Sequence, residues 1–448
     1  MANVAADMPA DLHAAPVSRG YRNYVMGLLL GIYIINFLDR QVVNILAEPI
    51  KHDLGLADWQ LGLMGGLAFA VLYTLLGLPI AVLAERKDRS VIIAVAIAIW
   101  SACTAACGFA QNFVQLVLAR VGVGIGEAGC TPPAHSLIID YADTQKRGSA
   151  LALYGMGAPL GGLLGMAFGG MVADAHGWRT AFFLAGVPGL IFAVLAYFTL
   201  KDPRTAERLK AARDKVQKKG VTIKECLSAL AKRPSYFWAT GGITIKAFIS
   251  VGYALFMASF FLRNHPDEVA QFAAAIGLES MGFLGLTIGL MSGGFGALGM
   301  WLGGQLSDRY GKRDVRWNMY ICIIAALAFI PPFVFSMTTE SLALALIAMA
   351  INSLLSNLHY GPGISSMLSV APPSMRAPAS AIQLFVANLV SLGLGPLALG
   401  LLSDSLAVSM GSAEGLRWAL ILTSFLGIFA AIAFWIASRT LEQDLKHD

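Results

Sequence analysis

The sequence predicts an all-α polytopic membrane protein, with twelve transmembrane helices in two pseudo-symmetric six-helix bundles. Three observations lead there. Of the 448 residues, 57% are hydrophobic and 13% are charged, against roughly a quarter charged in a soluble domain. Apolar stretches recur at the length that crosses a bilayer. Landmarks of the first half of the chain return, in order, in the second half.

The composition cannot cover a chain of this size with polar surface, so lipid must serve as solvent. A crossing needs roughly 20 apolar residues. Windows of that length fall near 24–46, 61–84, 90–110, 114–141, 148–173, 179–200, 236–262, 281–304, 316–337, 342–369, 378–403 and 416–438. Backbone hydrogen bonds must close inside each crossing, which selects helices. The division expected is a tail (1–23), a first bundle (24–200), a linker (201–235), a second bundle (236–438) and a second tail (439–448). The opening segment has no apolar h-region before Arg19 and Arg22, so no cleavable signal peptide is expected.

Basic residues fix the orientation. Arg86, Lys87, Arg89, Lys146, Arg147, Arg309, Lys312, Arg313, Arg316 and Arg376 fall on one side, together with the basic linker. Lys51, Arg179, Arg263 and Arg417 fall on the other. Both termini are therefore expected to be cytoplasmic, in a bacterial inner (plasma) membrane. The net charge of +5 then needs no nucleic acid. The five cysteines show neither zinc spacing nor a disulfide framework. No P-loop is present, and GVGIGEAG lacks the strand–turn–helix context of a dinucleotide site. No cofactor, metal or enzymatic activity is expected, and nothing demands more than a monomer.

The repeat is the strongest organisational signal. Glu85, in AVLAERKDRS, corresponds to Asp308, in GQLSDRYGKR. Arg147 corresponds to Arg376 at nearly the same offset along the chain. Asp174 with Trp178-Arg179 is echoed by Asp404 with Arg417-Trp418. Two halves joined by a long linker suit alternating access.

Few ionisable residues lie inside the spans, and each is a functional candidate because an unpaired charge there is costly. Asp39 and Arg40, with Asn36 and Asn44, lie in span 1, Arg120 and Glu127 in span 4, Lys246 in span 7, and His359 with Asn352 and Asn357 in span 10. Depth counting at about 1.5 Å per residue brings Asp39 level with Arg120. An Asp39–Arg120 ion pair facing a central cavity is therefore expected. Arg40 points about 100° away from Asp39. Two carboxylates beside cations fit proton coupling, which is assigned to Asp39 and Glu127. Arg120 is assigned to an anionic substrate head, with Arg40, Lys246, His359, Asn352 and Asn357 as further substrate contacts. Phe248, Phe256, Met257, Phe260 and Phe261 offer either a tail pocket or lipid-facing surface. Glycine stripes at Gly157, Gly161 and Gly165, and at Gly285, Gly289 and Gly293, allow close helix approach and are expected at a gate seam.

The loop Gly304-x-Leu306-Ser307-Asp308-Arg309-x-Gly311-Lys312-Arg313 resembles the inner-loop motif of the major facilitator superfamily. The first copy departs from it at Ala81, Glu85 and Asp88. The resemblance implies a cytoplasmic gate of ion pairs that bias the transport cycle. Its members here are Glu85, Arg86, Asp88, Arg89, Asp140, Arg147, Asp308, Arg309, Lys312, Arg313 and Arg376. More finely, NFLDRQVVNILAEPIKHDLGL, WSACTAACG and RVGVGIGEAGCTPPAHSLIIDYADTQKRGSALALYGMGAPLGGLLG are similar to the Spinster family. That similarity is densest over 30–180. It implies a proton-coupled transporter of lysolipids or sphingoid phosphates, with Asp39, Arg120 and Glu127 at matching cavity positions. Two alternatives stay open. One is a proton-coupled transporter of small organic anions. The other is a non-coupled scramblase or receptor.

Overall fold

The computed structural model describes residues 18–204, 223–311 and 313–445. Most of the linker, the segment before Ser18 and Lys312 lie outside them. Among the described residues every regular element is helical.

Eleven helical runs are long and apolar enough to cross a membrane. Span 1 is Arg19–Leu54, span 2 Asp58–Arg86, span 3 Arg89–Cys107 and span 4 Phe113–Tyr141. The run Arg147–Thr199 holds two crossings, spans 5 and 6, because Gly177 breaks it at φ +81°. Only glycine takes that backbone cheaply. Gly411 adopts φ +84° between spans 11 and 12, so the repeat extends to the turns. Span 7 is Pro234–Asn264, span 8 Ser280–Tyr310, span 9 Arg316–Thr338, span 10 Leu342–Ser369, span 11 Arg376–Met410 and span 12 Ser412–Leu445.

The breaks in these helices have local causes. Span 4 is interrupted after Glu127 and resumes at Thr131, followed by Pro132 and Pro133. Those prolines lack N–H groups and collide with the preceding turn. Span 10 breaks at the repeat-related point, between Asn357 and Tyr360. Spans 2, 8 and 11 each contain a π-helical turn, at Leu63–Leu67, Met291–Phe295 and Asn388–Leu394.

The halves close against each other at the face opposite the termini, here called the distal face. One buried apolar cluster crosses between them there, joining Leu46, Leu61 and Phe182 to Phe256, Phe260 and Phe333. The expectation that Phe256, Phe260 and Phe261 line a tail pocket or face lipid is thus corrected: all three are fully buried in this cluster. Span 7 packs against span 1 of the first half and against spans 10, 11 and 12 of its own. Two further clusters each stay within one half.

Polar groups reinforce the distal closure. Asp174, at the end of span 5, accepts from the Met281 and Gly282 amides (3.3 and 2.7 Å), in the first turn of span 8. Asp404, at the end of span 11, accepts from the Asp58 and Trp59 amides (3.0 and 2.8 Å), in the first turn of span 2. Each carboxylate satisfies orphan amides of a helix in the other half. Arg263 of span 7 reaches across to Glu48 (2.8 and 2.7 Å) and to Asp58 (both bonds 2.9 Å). Lys51 also donates to Asp58, at 2.6 Å.

Glycine contacts show how the seam opens toward the terminal face. A Cβ on Gly285 would meet the Met166 carbonyl at 2.1 Å, one on Gly289 would meet Leu163 at 3.0 Å, and one on Gly293 would find only Pro159 at 3.4 Å. Gly294 meets nothing within 4 Å. Across spans 2 and 11, Gly62 touches Pro396 in the same test and Gly77 touches nothing. The span 8 stripe therefore lies at the seam. The span 5 stripe does not: Gly157, Gly161 and Gly165 approach Tyr33, Ile34 and Leu38 of span 1, inside the first half. A stripe every fourth residue marks one helix face but not the neighbour it meets.

An Asp174→Asn/Asp404→Asn double variant should loosen the distal closure. Charge-assisted hydrogen bonds contribute roughly 1.5–3 kcal/mol each. Spin labels on the distal ends of spans 5 and 8 should report a new, longer distance population, while labels at the terminal ends move closer.

Candidate functional site

Between the halves lies a cavity of about 390 Å³. The first half supplies Phe37, Arg40, Gln41, Asn44, Phe69 and Arg120. The second half supplies an apolar group, including Met257, Phe333 and Met349, and a polar group from span 10: Asn352, Ser353, Ser356 and Asn357. Each π-helical turn also contributes a wall residue, namely Gly65, Ser292 and Leu392.

Arg40 carries the only ion pair recorded at this depth among the described residues. Its Nε donates to Glu127 Oε2 at 2.5 Å. Three rings enclose the guanidinium: Phe37 at 5.2 Å, Phe69 at 5.0 Å and Tyr73 at 4.7 Å. Such contacts help offset the desolvation of the cation. Phe69 also lies beside Arg120, whose guanidinium carbon is 5.4 Å from the ring centre. Arg120 is 2% exposed, and its Nε and Nη1 are buried without hydrogen-bond partners.

The expected Asp39–Arg120 ion pair is not formed. Asp39 turns to span 3, where Thr104 donates to its Oδ2 at 3.2 Å, and its Oδ1 has no partner. Depth counting places the two residues at one level but does not fix helix rotation. The step of about 100° between neighbours sends Arg40, not Asp39, toward span 4.

The other candidates divide by position. Asn352 and Asn357 reach the cavity. Lys246 and His359 sit behind its wall. The Lys246 Nζ donates to Ser356 Oγ at 3.0 Å and lies 3.5 Å from the Phe329 ring centre. His359 Nδ1 bonds the Ser356 carbonyl at 2.7 Å. Neither contacts the cavity directly, so the expected substrate contacts at these two positions are corrected to a supporting layer. A sequence gives their depth but not the side of the helix they occupy.

At the terminal face Arg89 is buried and binds Asp140 at 2.6 Å, Asp202 at 2.7 Å and Ser136 at 2.6 Å. Arg204 caps the knot by donating to Asp202 and to the Ala84 carbonyl. Burial would raise the Asp202 carboxyl, but the bonds from Arg89 and Arg204 outweigh it and hold the group well below the usual carboxylate range. The knot thus stays charged at neutral pH and ties the start of the linker to the first half. Asp88 caps span 3 through the Ser90 amide at 2.8 Å. Glu85, Arg86, Arg147, Asp308, Arg309, Arg313 and Arg376 are exposed. The ion pairs Arg22–Asp143, Arg89–Asp140 and Arg316–Glu442 each stay within one half. Lys312 of the expected gate lies outside the described residues.

Of the distal charges, Lys51 and Arg263 entered the sequence reading only through orientation and Glu48 and Asp58 not at all, although Asp174 and Asp404 were visible as repeat landmarks. Two six-helix halves, a central cavity with apolar and polar walls and a seam closed on one side define a secondary transporter of the alternating-access class.

The comparisons narrow this class. Residues 29–396 match the model of the Major Facilitator Superfamily. An MFS-type efflux pump of Mycolicibacterium smegmatis is 32% identical over 423 residues, covering 94% of this chain and 93% of that protein. Protein spinster homolog 1 of Xenopus tropicalis is 27% identical, covering 95% of this chain and 82% of that protein. Crystal structures of a bacterial homologue of the human lysosomal transporter Spinster, inward-facing and either unoccupied or occupied, superpose with TM-scores of 0.81 and 0.82. Both are 28% identical and cover 96% of this chain and 99% of theirs. The chain belongs to the major facilitator superfamily, in its Spinster branch; it is a transporter, not an enzyme.

Removing one member of the Arg40–Glu127 pair should cost about 3–5 kcal/mol, because the survivor is left uncompensated. Glu127→Leu and Arg40→Met should each lower the melting temperature in detergent. The double variant should melt above either single one.

Proposed function

We propose that the protein is a proton-coupled transporter of an amphiphilic anion of the lysolipid or sphingoid phosphate type. The observation that carries this is Arg120, a buried guanidinium at the cavity wall with two donors unused. A buried cation without a carboxylate is strongly disfavoured unless an anion joins it. A phosphate matches the guanidinium fork. The apolar distal wall around Met257, Phe333 and Met349 suits an acyl or sphingoid tail.

Asp39 and Glu127 are the proton-coupling groups in this scheme. Asp39 is fully buried, accepts from the Thr104 hydroxyl and has the Trp100 indole beside it. A carboxyl in that setting is favoured with its proton on. Opening the other face brings water and Arg120 within reach, which favours release. Glu127 follows if Arg40 leaves it. The terminal face is assigned to the cytoplasm of a bacterial inner membrane by the positive-inside bias, and the working unit is a monomer. The exposed charges Glu85, Arg86, Asp88, Arg147, Asp308, Arg309, Arg313 and Arg376, with the Arg89–Asp140 knot, form the cytoplasmic gate, open in this state.

One observation favours a small organic anion as the second choice. The span 10 wall is polar, with Asn352, Ser353, Ser356 and Asn357, and could clamp a second polar end.

Proteoliposomes with an internal pH dye test the proposal. Lysophosphatidate should drive proton flux, and Arg120→Ala should weaken its half-saturation about 10- to 100-fold. Asp39→Asn should abolish proton flux while leaving binding intact. Flux with succinate but not with the lipid would select the small-anion reading. Lipid movement that ignores both substitutions would sink the proposal.

A further inference from the structure

We propose that Ser356 is a substrate-contacting hydrogen-bond donor supplied by the second half, and that Lys246 is the positioning residue that aims it. The cavity hydroxyls differ in whether they are free to donate. Ser353 spends its hydrogen on the Met291 carbonyl at 3.0 Å, and Ser292 spends its own on the Gly289 carbonyl at 3.3 Å. The Asn357 amide donates to the Ser353 carbonyl at 2.8 Å. Ser356 differs. Its oxygen accepts from the Lys246 Nζ at 3.0 Å, from behind the wall. With the Lys246 nitrogen as donor, this oxygen is used as an acceptor, which leaves its own O–H for the cavity, where Ser356 is a wall residue.

Lys246 explains why that hydroxyl is special. The side chain is 1% exposed, and its recorded partners are Ser356 and the Phe329 ring, neither of them anionic. No ion pair to it is recorded among the described residues. A donor on the hydroxyl oxygen makes the hydroxyl a stronger donor in turn, as chains of hydrogen bonds polarise one another. The Ser356 backbone is itself held by His359 through its carbonyl at 2.7 Å. The result is a fixed, polarised donor on the second half, in the cavity that Arg120 enters from the first. The acceptor it selects is an anionic or strongly polar oxygen such as a phosphate, carboxylate or adjacent hydroxyl. A substrate bearing one would touch both halves at once, which is what a ligand must do to bias their rocking.

This inference rests on the reading that Arg120 holds the anion, and the test separates the two. Binding of oleoyl-lysophosphatidate and of succinate is measured on the full chain in nanodiscs by calorimetry. Ser356→Ala should weaken the better probe about 10- to 100-fold. Ser356→Thr, which keeps the hydroxyl, should retain the affinity and guards against a packing artefact. Lys246→Met should weaken it similarly, and the Ser356→Ala/Lys246→Met double variant should bind no worse than Ser356→Ala alone. An unchanged Ser356→Ala beside a defective Arg120→Ala would overturn this proposal and leave the Arg120 reading standing. A full second loss in the double variant would show that Lys246 does not act through Ser356. The Ser356 pattern with an unaffected Arg120→Ala would overturn the Arg120 reading only. Wild-type protein that binds neither probe would overturn both.

Discussion

The ion pair between Arg40 and Glu127 sets the electrostatics of the whole cavity. Inside a bilayer each charge must find a partner or carry a large penalty. The first half holds two guanidiniums and two carboxyls at this depth, and they could have paired off completely. Instead Arg40 takes Glu127 at 2.5 Å, and the remaining two are kept apart. Asp39 faces Thr104 on span 3, while Arg120 faces Phe69 and the cavity. Phe69 lies against both guanidiniums, at 5.0 and 5.4 Å. One closed pair thus leaves one open cation at the cavity wall, and the proposed preference for anions rests on it.

The closure of the distal face rests on the same logic at helix ends. Asp174 and Asp404 hold equivalent places in the two halves, and each caps a helix of the opposite half. Arg263 adds bidentate contacts to two carboxylates of the first half. These bonds are numerous, short and local, so they can break together as the halves rock. The seam spans 2, 8 and 11 carry the three π-helical turns, and each turn places a residue on the cavity wall. Site and seam therefore share the same segments of helix. A π turn marks a point where the i→i−4 ladder is already relaxed, which suits a helix that must bend with its half.

Much of this was legible in the sequence, for reasons that differ by feature. Hydropathy has one dimension, so the spans could be read directly, including the separation of spans 5 and 6 that the structure makes at Gly177. The repeat exposed Asp174 and Asp404 as equivalents before any contact was known. Rotation about a helix axis was not legible. It decides that Arg40 rather than Arg120 meets a carboxylate, that Lys246 sits behind Ser356, and that the Gly157–Gly165 stripe packs on span 1. Kinks at Pro132–Pro133 and the π turns add rotation that an ideal helix does not predict. Span 7 aromatics such as Phe256 and Phe260 looked free for lipid or ligand because nothing in the sequence says which half will cover them. The distal cluster around Arg263 escaped notice because its members come from separate loops and helix ends.

The most direct test of the account uses three amphiphiles with one acyl chain and different heads: lysophosphatidate, lysophosphatidylcholine and monoacylglycerol. Their affinities are compared on wild-type protein and on Arg120→Gln in nanodiscs. If the unpaired guanidinium is the anchor, the wild type binds in the order anion, zwitterion, neutral, and the variant binds all three alike. Equal affinities in the wild type, or an order that survives in Arg120→Gln, would contradict it.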